Sequence, residues 1–259
     1  MTSRTQAWVL SFAVLLIAST AKGITYGQAD EDRHPYVGAL IANYTGSGPA
    51  LLCSGTLIAP TVFLTAAHCT AYLQSLGIDE VWVTFDAQYT SSSTLIPGTM
   101  HTNPAYTWRQ SDPGDVAVVV LSSEPVGISP AGLPTQSLLD QLEKSHALRG
   151  QTFTAVGYGS LQPNIGGGPP TFTYPDVRKY SVSTFDALNP AWLRLSQNPA
   201  RGNGGACYGD SGGPIFFGNT ETVVAITITG DAMCRATNVT YRLDTPSVRK
   251  FLSEYVTLP

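Results

Sequence analysis

Charge is what this chain has least of. Asp, Glu, Lys and Arg make up 12% of its 259 residues, about half of the 25% that globular domains usually carry. The 14 Lys and Arg against 18 Asp and Glu give a net charge of −4, and no basic run stands out. Since binding to a phosphate backbone needs clustered Lys and Arg, the composition argues against a nucleic-acid partner.

Long apolar runs are also missing, apart from one at the amino terminus. Arg4 precedes an apolar stretch at residues 8–18, which is too short to span a bilayer comfortably, and small residues follow at 19–23. This pattern predicts a signal peptide over residues 1–23, cleaved after Ala21 or Gly23, and a secreted protein without a membrane anchor. An uncleaved anchor is the alternative interpretation.

Cysteine is scarce, and its spacing excludes one common use. The four cysteines contain no C-x₂₋₄-C pair, so a structural zinc site is disfavoured. In an exported protein they predict disulfides, for which four cysteines allow three pairings.

Histidine is scarce as well, and its placement decides between two serine motifs. Gly209-Asp210-Ser211-Gly212-Gly213 fits the G-x-S-x-G turn of α/β-hydrolases, whose catalytic histidine follows the serine. No histidine follows Ser211 here, so that fold is excluded. A general base must then come earlier, and His68 beside Cys69 is the candidate; the complete set of histidines is His34, His68, His101 and His146.

An acid is needed between His68 and Ser211. Asp115 stands at the start of the apolar run Val116–Leu121, where its carboxylate can be buried against an imidazole. Asp112 lies in the turn-like stretch Ser111-Asp112-Pro113-Gly114 and is interpreted as a turn residue.

Most of the remaining chain predicts short β-strands and one helix. The helix begins at Thr245-Pro246 and shows apolar residues at helical spacing through Tyr255. The predicted strands are Leu51–Ile58, Val62–Ala67, Val81–Phe85, Val116–Leu121, Thr152–Tyr158, Val177–Val182 and Thr222–Thr229.

Three sequence blocks together resemble one family. Thr65-Ala66-Ala67-His68-Cys69, the run 115–121 and the block 209–214 resemble the three catalytic blocks of the chymotrypsin-family serine endopeptidases, in the same order. The resemblance extends from Ile24 to the C-terminus. It implies an all-β fold of two six-stranded antiparallel β-barrels, at about 24–130 and 146–244, followed by a C-terminal α-helix at about 246–256.

The resemblance also implies a division of chemical roles. Ser211 would be the nucleophile, His68 the general base and Asp115 its orienting acid, with the N–H groups of Gly209 and Ser211 binding the oxyanion. A freed Ile24 amino group would pair with Asp210. The implied disulfides are Cys53–Cys69 and Cys207–Cys234.

Substrate selection is expected in a pocket beside Ser211. The same resemblance implies a floor at Gly205, next to Ala206, where trypsin-like members carry an aspartate, so the absence of an acid there predicts cleavage after small or apolar residues rather than after Lys or Arg. The remaining predicted pocket residues are Ile228, Thr229, Gly230 and Val239.

We therefore expect a monomeric secreted serine endopeptidase acting on polypeptides, with no cofactor and no metal. Two alternatives remain: an inactive binding protein on a protease fold, and a secreted esterase with the same triad. Asn43-Tyr44-Thr45 and Asn238-Val239-Thr240 match the N-glycosylation sequon.

Overall fold

The computed structural model describes residues 24–107, 109, 111–164 and 166–259. The predicted signal peptide at residues 1–23 lies outside the described residues. Within the described ranges, no helix has the length and apolar character that crossing a membrane requires.

Strands dominate the described chain. The first half contains β1 (Gln28–Ala29), β2 (Val37–Ala42), β3 (Ala50–Ala59), β4 (Val62–Thr65), β5 (Val81–Thr84), β6 (Ile96–Thr102) and β7 (Ala117–Leu121). The second half contains β8 (Thr152–Gly157), β9 (Lys179–Leu188), β10 (Trp192–Ser196), β11 (Pro214–Phe217), β12 (Val223–Gly230) and β13 (Thr237–Arg242). The helices are α1 (Ala67–Ser75), α2 (Leu138–Lys144) and α3 (Pro246–Leu252).

These strands form two closed antiparallel barrels. The first follows the order β2-β3-β4-β7-β6-β5. In the second, β9-β10-β13-β12-β11-β8 closes because β8 also pairs with β9. The short strand β1 pairs with the first two residues of β9, Lys179 and Tyr180. The predicted fold class, all-β with two six-stranded barrels and a C-terminal helix, is confirmed.

Local sequence explains how the strands face the core. All six residues of β2 are buried, and its sequence is almost entirely apolar. In β10, Leu193 and Leu195 are buried while Arg194 between them is exposed, which is the period-two alternation of a strand with one covered face.

Helix α3 begins at Pro246, as predicted, and ends at Leu252 rather than near residue 256. It ends early because the next turn tightens: the N–H groups of Glu254 and Tyr255 bond to carbonyls only three residues back. Val248, Phe251 and Leu252 are buried in the larger apolar core, which includes side chains from both barrels.

A buried ion pair joins the amino-terminal segment to both barrels. The Nε of Arg178 donates to Asp30 over 2.8 Å, and the same guanidinium donates to the carbonyls of Val37 and Phe85. Burial by itself raises the pKa of Asp30, but hydrogen bonds and charge from His34 and Arg178 outweigh it and hold that pKa below its ordinary value. The segment before β2 is therefore held by the packed interior of the protein.

Candidate active site

The candidate base and acid meet at two points. Strand β4 ends at Thr65, and α1 begins two residues later, so His68 lies in the first turn of a helix. The backbone N–H of His68 donates to Asp115 Oδ1 over 2.8 Å, and its Nδ1 lies 2.9 Å from Asp115 Oδ2. N–H groups in the first turn of a helix have no partner within that helix, so the carboxylate supplies one.

This contact fixes the orientation of the imidazole. Asp115 is 4% exposed and lies just before β7, whereas His68 is only partly buried. With Nδ1 held by the buried carboxylate, Nε2 is the ring nitrogen left to exchange a proton. His68 lines a surface cleft together with Thr107 and Thr229. Tyr106 lines the same cleft, and burial followed by the charge of Asp115 raises the pKa of Tyr106 to about 12.

Ser211 is anchored from the opposite barrel. Its carbonyl accepts the backbone N–H of Ser54 over 2.9 Å, and the Ser54 hydroxyl donates to the carbonyl of Gly209 over 3.0 Å. Cys53, the neighbour of Ser54 in β3, forms a disulfide with Cys69, the neighbour of His68. The serine loop and the histidine are thus joined to the same piece of the first barrel.

A glycine permits this close approach. At Gly212, where φ is +78°, a Cβ would lie 2.3 Å from Thr65 Oγ1 and 2.6 Å from the nitrogen of Ala66. No side chain fits in that space, so the chain after Ser211 packs directly against the residues before His68.

The loop before Ser211 presents two backbone donors. Gly209 has a φ of +93°, which glycine adopts without strain. Within the described part of the chain, neither the Gly209 N–H nor the Ser211 N–H donates a hydrogen bond. Two such groups beside a serine hydroxyl are what an oxyanion requires.

Asp210 points away from this surface into the interior. It is 1% exposed and accepts 2.8 Å hydrogen bonds from the N–H groups of Cys207 and Gly159. Burial raises the pKa of Asp210 to about 7, although these two N–H groups lower it. No Lys, Arg or His of the described ranges forms an ion pair with Asp210.

Ile24, the other half of the implied activation pair, is fully buried. The next residue, Thr25, exchanges two backbone hydrogen bonds with Gly205, at 3.0 and 3.1 Å. The amino-terminal segment therefore docks on the stretch that leads to Asp210, and no hydrogen bond joins Ile24 to Asp210 among the described residues.

A cavity of about 130 Å³ opens beside Ser211. The disulfide Cys207–Cys234 borders it. Four residues predicted for the pocket line it, and four more that the sequence did not predict line it as well; the first set is Ala206, Ile228, Thr229 and Gly230, and the second is Tyr208, Thr227, Asp231 and Asn238.

Two predicted pocket residues do not line the cavity. Gly205 is covered by Gln197: a Cβ on Gly205 would lie 1.8 Å from Gln197 Oε1. Asn238 lines the cavity in place of the predicted Val239. Adjacent residues of a strand face opposite sides, so an error of one residue in the predicted register selects the wrong one of the two. That alternation along β13 was the signal that could have located Asn238.

The carboxylate of Asp231 is held by backbone N–H groups of its own loop. Its Oδ1 accepts the N–H groups of Ala236 and Thr237 at 2.8 and 2.9 Å, and its Oδ2 accepts that of Arg235 at 3.1 Å. Burial raises the pKa of Asp231, but these N–H groups outweigh it, so the pKa lies below its ordinary value. The carboxylate closes the 231–237 loop.

One group of metal-type ligands lies in the site. Ligand atoms of Cys53, His68 and Cys69 fall within 4.8 Å of one another. Both sulfurs belong to the same disulfide and cannot act as thiolate ligands, so this is not a metal-binding set.

Two antiparallel barrels that meet at a His–Asp pair and a glycine-framed serine define the class of chymotrypsin-like serine proteases. Comparison with known proteins agrees. The Trypsin family matches residues 26–251, and the chain belongs to that family.

Individual relatives are more distant. The chain is 28% identical to Trypsin-3 of Salmo salar over 180 residues, which cover 67% of this chain and 71% of that protein. It is 24% identical to a venom serine protease of Polistes dominula over 200 residues, covering 71% and 67% of the two chains. In structure it resembles HL collagenase, with a TM-score of 0.64, 17% identity and coverage of 86% and 94%. The protein is a serine endopeptidase, and polypeptides are its substrates.

Proposed function

We propose that this protein is a secreted endopeptidase that cleaves peptide bonds through an acyl-enzyme, with Ser211, His68 and Asp115 as its catalytic triad. The observation that carries the proposal is the two-point contact between His68 and Asp115, 47 residues apart in sequence, beside a serine anchored from the other barrel. Its two disulfides fit an oxidising, extracellular location.

The chemistry follows from the geometry. His68 Nε2 takes the hydroxyl proton of Ser211 as the oxygen attacks the scissile carbonyl, and Asp115 stabilises the imidazolium. The oxyanion accepts the N–H groups of Gly209 and Ser211, and loss of one such donor typically costs about 10²–10³ in rate. The imidazolium then protonates the leaving amine. A water molecule, deprotonated by His68, next attacks the acyl-enzyme, which releases the carboxylic acid and restores Ser211.

Activation is proposed to depend on the new amino group at Ile24. Asp210 is buried and forms no ion pair with a cation among the described residues. Thr25 is already hydrogen-bonded to Gly205, which lies five residues before Asp210 in the chain. Cleavage before Ile24 would supply an ammonium group, which favours an ionised buried carboxylate. Such a pair would hold the loop that carries Gly209 and Ser211.

For substrates, we propose uncharged residues before the scissile bond, and not Lys or Arg. The support is that Gly205, the predicted floor, carries no acid and is covered by Gln197, and that the acid which does line the cavity, Asp231, is already hydrogen-bonded within its own loop. The narrower expectation of small or apolar residues, like the expected monomer, stays a prediction.

The test is labelling by a serine-directed fluorophosphonate, using protein that begins at Ile24. The wild type should label and should cleave a peptide library, while Ser211→Ala should do neither and yet unfold at a similar temperature. Failure to label would support the inactive binding protein, and cleavage of esters but not of peptides would support the esterase. Labelling of the Ser211→Ala variant would refute the assignment of the nucleophile.

A further inference from the structure

We infer that Asn238 selects substrates whose side chain before the scissile bond ends in a carboxamide, that is, Gln or Asn. This inference rests on the proposed function and refines it. It assigns the chemistry of the cavity beside Ser211 to a residue on β13 that the sequence analysis did not predict for the pocket.

The first observation is an amide without a partner. Asn238 is 1% exposed and lines the cavity, and its Nδ2 is buried without a hydrogen bond to any described residue. Its backbone is fixed by pairing with Leu195 and Gly230 on either side, so the residue cannot be carried out to solvent. A buried polar group in this state is costly unless something bonds to it.

The second observation concerns the rest of the lining. Thr227 and Thr229 add hydroxyl-bearing side chains, and Gly230 has none to narrow the entrance. An apolar substrate side chain would fill this space without bonding to the amide. A carboxamide can donate to and accept from the Asn238 amide, whichever way that amide is turned.

Charge in the cavity separates carboxamides from carboxylates. Asp231 also lines the cavity and keeps a pKa below its ordinary value, so it is ionised at neutral pH. A substrate Glu or Asp would bring a second negative charge beside it, which is unfavourable. The Gln side chain has the same shape as Glu and carries no charge.

Most of the hydrogen-bonding capacity of this carboxylate is used within its own loop, which leaves little of it for a substrate cation. Its oxygens already accept the N–H groups of three consecutive residues of the 231–237 loop. A Lys or Arg side chain needs carboxylate lone pairs directed at it to offset the loss of its hydration. We therefore place Gln and Asn above Lys and Arg.

The experiment uses enzyme beginning at Ile24 and peptides that differ only before the scissile bond: Gln, Asn, Glu, Met and Lys. We expect kcat/KM for Gln to exceed that for Glu and for Met by about tenfold or more, since an unpaired polar group at a specificity site is strongly discriminating. Asn238→Leu should reverse the order of Gln and Met. Asn238→Asp, which keeps the shape of the side chain, should favour Lys over Gln.

A matched control is Asn219→Asp, the same chemical change at an exposed residue between β11 and β12. It should leave the order of substrates unchanged. Fluorophosphonate titration of every variant counts the active sites, so that a folding defect is not mistaken for a change in selection.

The outcomes separate the inference from the proposed function. A wild type that fails to label refutes the proposed function. A wild type that labels and cleaves, but prefers Met or Lys to Gln, overturns only the assignment of Asn238. If Asn238→Leu does not fold, the isosteric Asn238→Asp variant and the wild-type panel decide, and an unchanged substrate order in Asn238→Asp also overturns it.

Discussion

The backbone N–H of Ser54 donates to the carbonyl of Ser211 over 2.9 Å, so a strand of the first barrel holds the proposed nucleophile of the second. The Ser54 hydroxyl adds a bond to the Gly209 carbonyl and accepts the N–H of Tyr158, both at 3.0 Å. One buried serine thus ties together both barrels and the proposed oxyanion loop, which makes it a suitable first target for mutation.

Ser54→Ala removes these side-chain bonds and keeps the backbone bond. We expect a loss of about 1–3 kcal/mol in the free energy of unfolding, because a buried N–H and a buried carbonyl lose a partner. Labelling by the fluorophosphonate should slow, since the loop is held less firmly. Denaturant unfolding and labelling rates measure both effects, with exposed Ser253→Ala as the control. An unchanged stability in Ser54→Ala would contradict this account.

The identity of the orienting acid can be tested with a pair of matched variants. Asp115→Asn should lower kcat by about 10⁴, because the amide favours the wrong imidazole tautomer. Asp112→Asn, three residues earlier, should leave kcat nearly unchanged, since Asp112 accepts from Tyr241 and Ser247 rather than from His68. Combining Asp115→Asn with Ser211→Ala should cost no more than Ser211→Ala alone. A large loss of kcat in Asp112→Asn would show that Asp115 has been wrongly assigned as the orienting acid.

Gly205 offers a test of the pocket floor. Gly205→Asp should not create activity toward Lys or Arg; it should destabilise the protein by about 1–3 kcal/mol or more, because its side chain would overlap Gln197. Thermal unfolding and peptide cleavage give the two measurements. Gly168→Asp, where a Cβ meets nothing within 4 Å, is the matched control.

A double variant checks the cause of that loss. Gln197→Ala combined with Gly205→Asp should recover part of the stability lost in Gly205→Asp alone, so the two changes should not be additive. Additive losses would mean that the overlap with Gln197 is not the source of the effect.

The buried Asp210 predicts a pH dependence for the 259-residue chain. Its pKa is raised from 3.8 to about 7 in the folded state. Between these values the folded protein keeps a proton that the unfolded chain has lost, so stability should fall as pH rises through this window. Asp210→Asn should remove this contribution, whereas exposed Asp32→Asn should not. Denaturant unfolding at several pH values between about 4 and 8 measures it.

The same measurement tests the proposed activation. In a protein that begins at Ile24, stability should no longer fall as the pH rises through this window, because the ammonium group lowers the pKa of a paired carboxylate. An equal pH dependence in both forms would contradict the pairing of Ile24 with Asp210.

The two sequons differ in accessibility. Asn43 is exposed in the turn between β2 and β3, whereas Asn238 is 1% exposed. When the protein is produced in a eukaryotic secretory pathway, we expect a glycan on Asn43 and none on Asn238. Mass spectrometry of the folded, secreted protein measures the occupancy at each site; a glycan on Asn238 would be incompatible with this packing.

Much of the fold could be predicted because many of its strands coincide with short apolar runs in the sequence. Leu51–Ile58 and Val81–Phe85 lie within a residue of the observed β3 and β5. Six strands were not predicted: β1, β2, β6, β10, β11 and β13. Of these, β6 and β13 contain few apolar residues and are stabilised by pairing with neighbours. The omission of β2 has no such reason, since its sequence is almost entirely apolar. The strand expected at 62–67 stops at Thr65, because α1 begins at Ala67 where Asp115 accepts a helix N–H.

The candidate site divides in a similar way. His68, Asp115 and Ser211 could be proposed because each stands in a distinctive local pattern. The residues of the pocket could be predicted less well, since they depend on strand register and on packing between segments that are far apart in sequence. Nothing in the sequence around Gly205 indicates that Gln197 lies against it, and a shift of one residue along β13 replaces Val239 by Asn238.

The docked segment between Ile24 and Asp30 has one more consequence. Thr25 is held by Gly205, and Asp30 is held by Arg178, so a terminus created at Ile24 would stay tethered on the stretch that leads to Asp210, its proposed partner. A tethered group acts as an intramolecular ligand at high effective concentration. An added peptide that copies this terminus would therefore compete poorly with it, and the pairing that follows cleavage would be effectively independent of protein concentration.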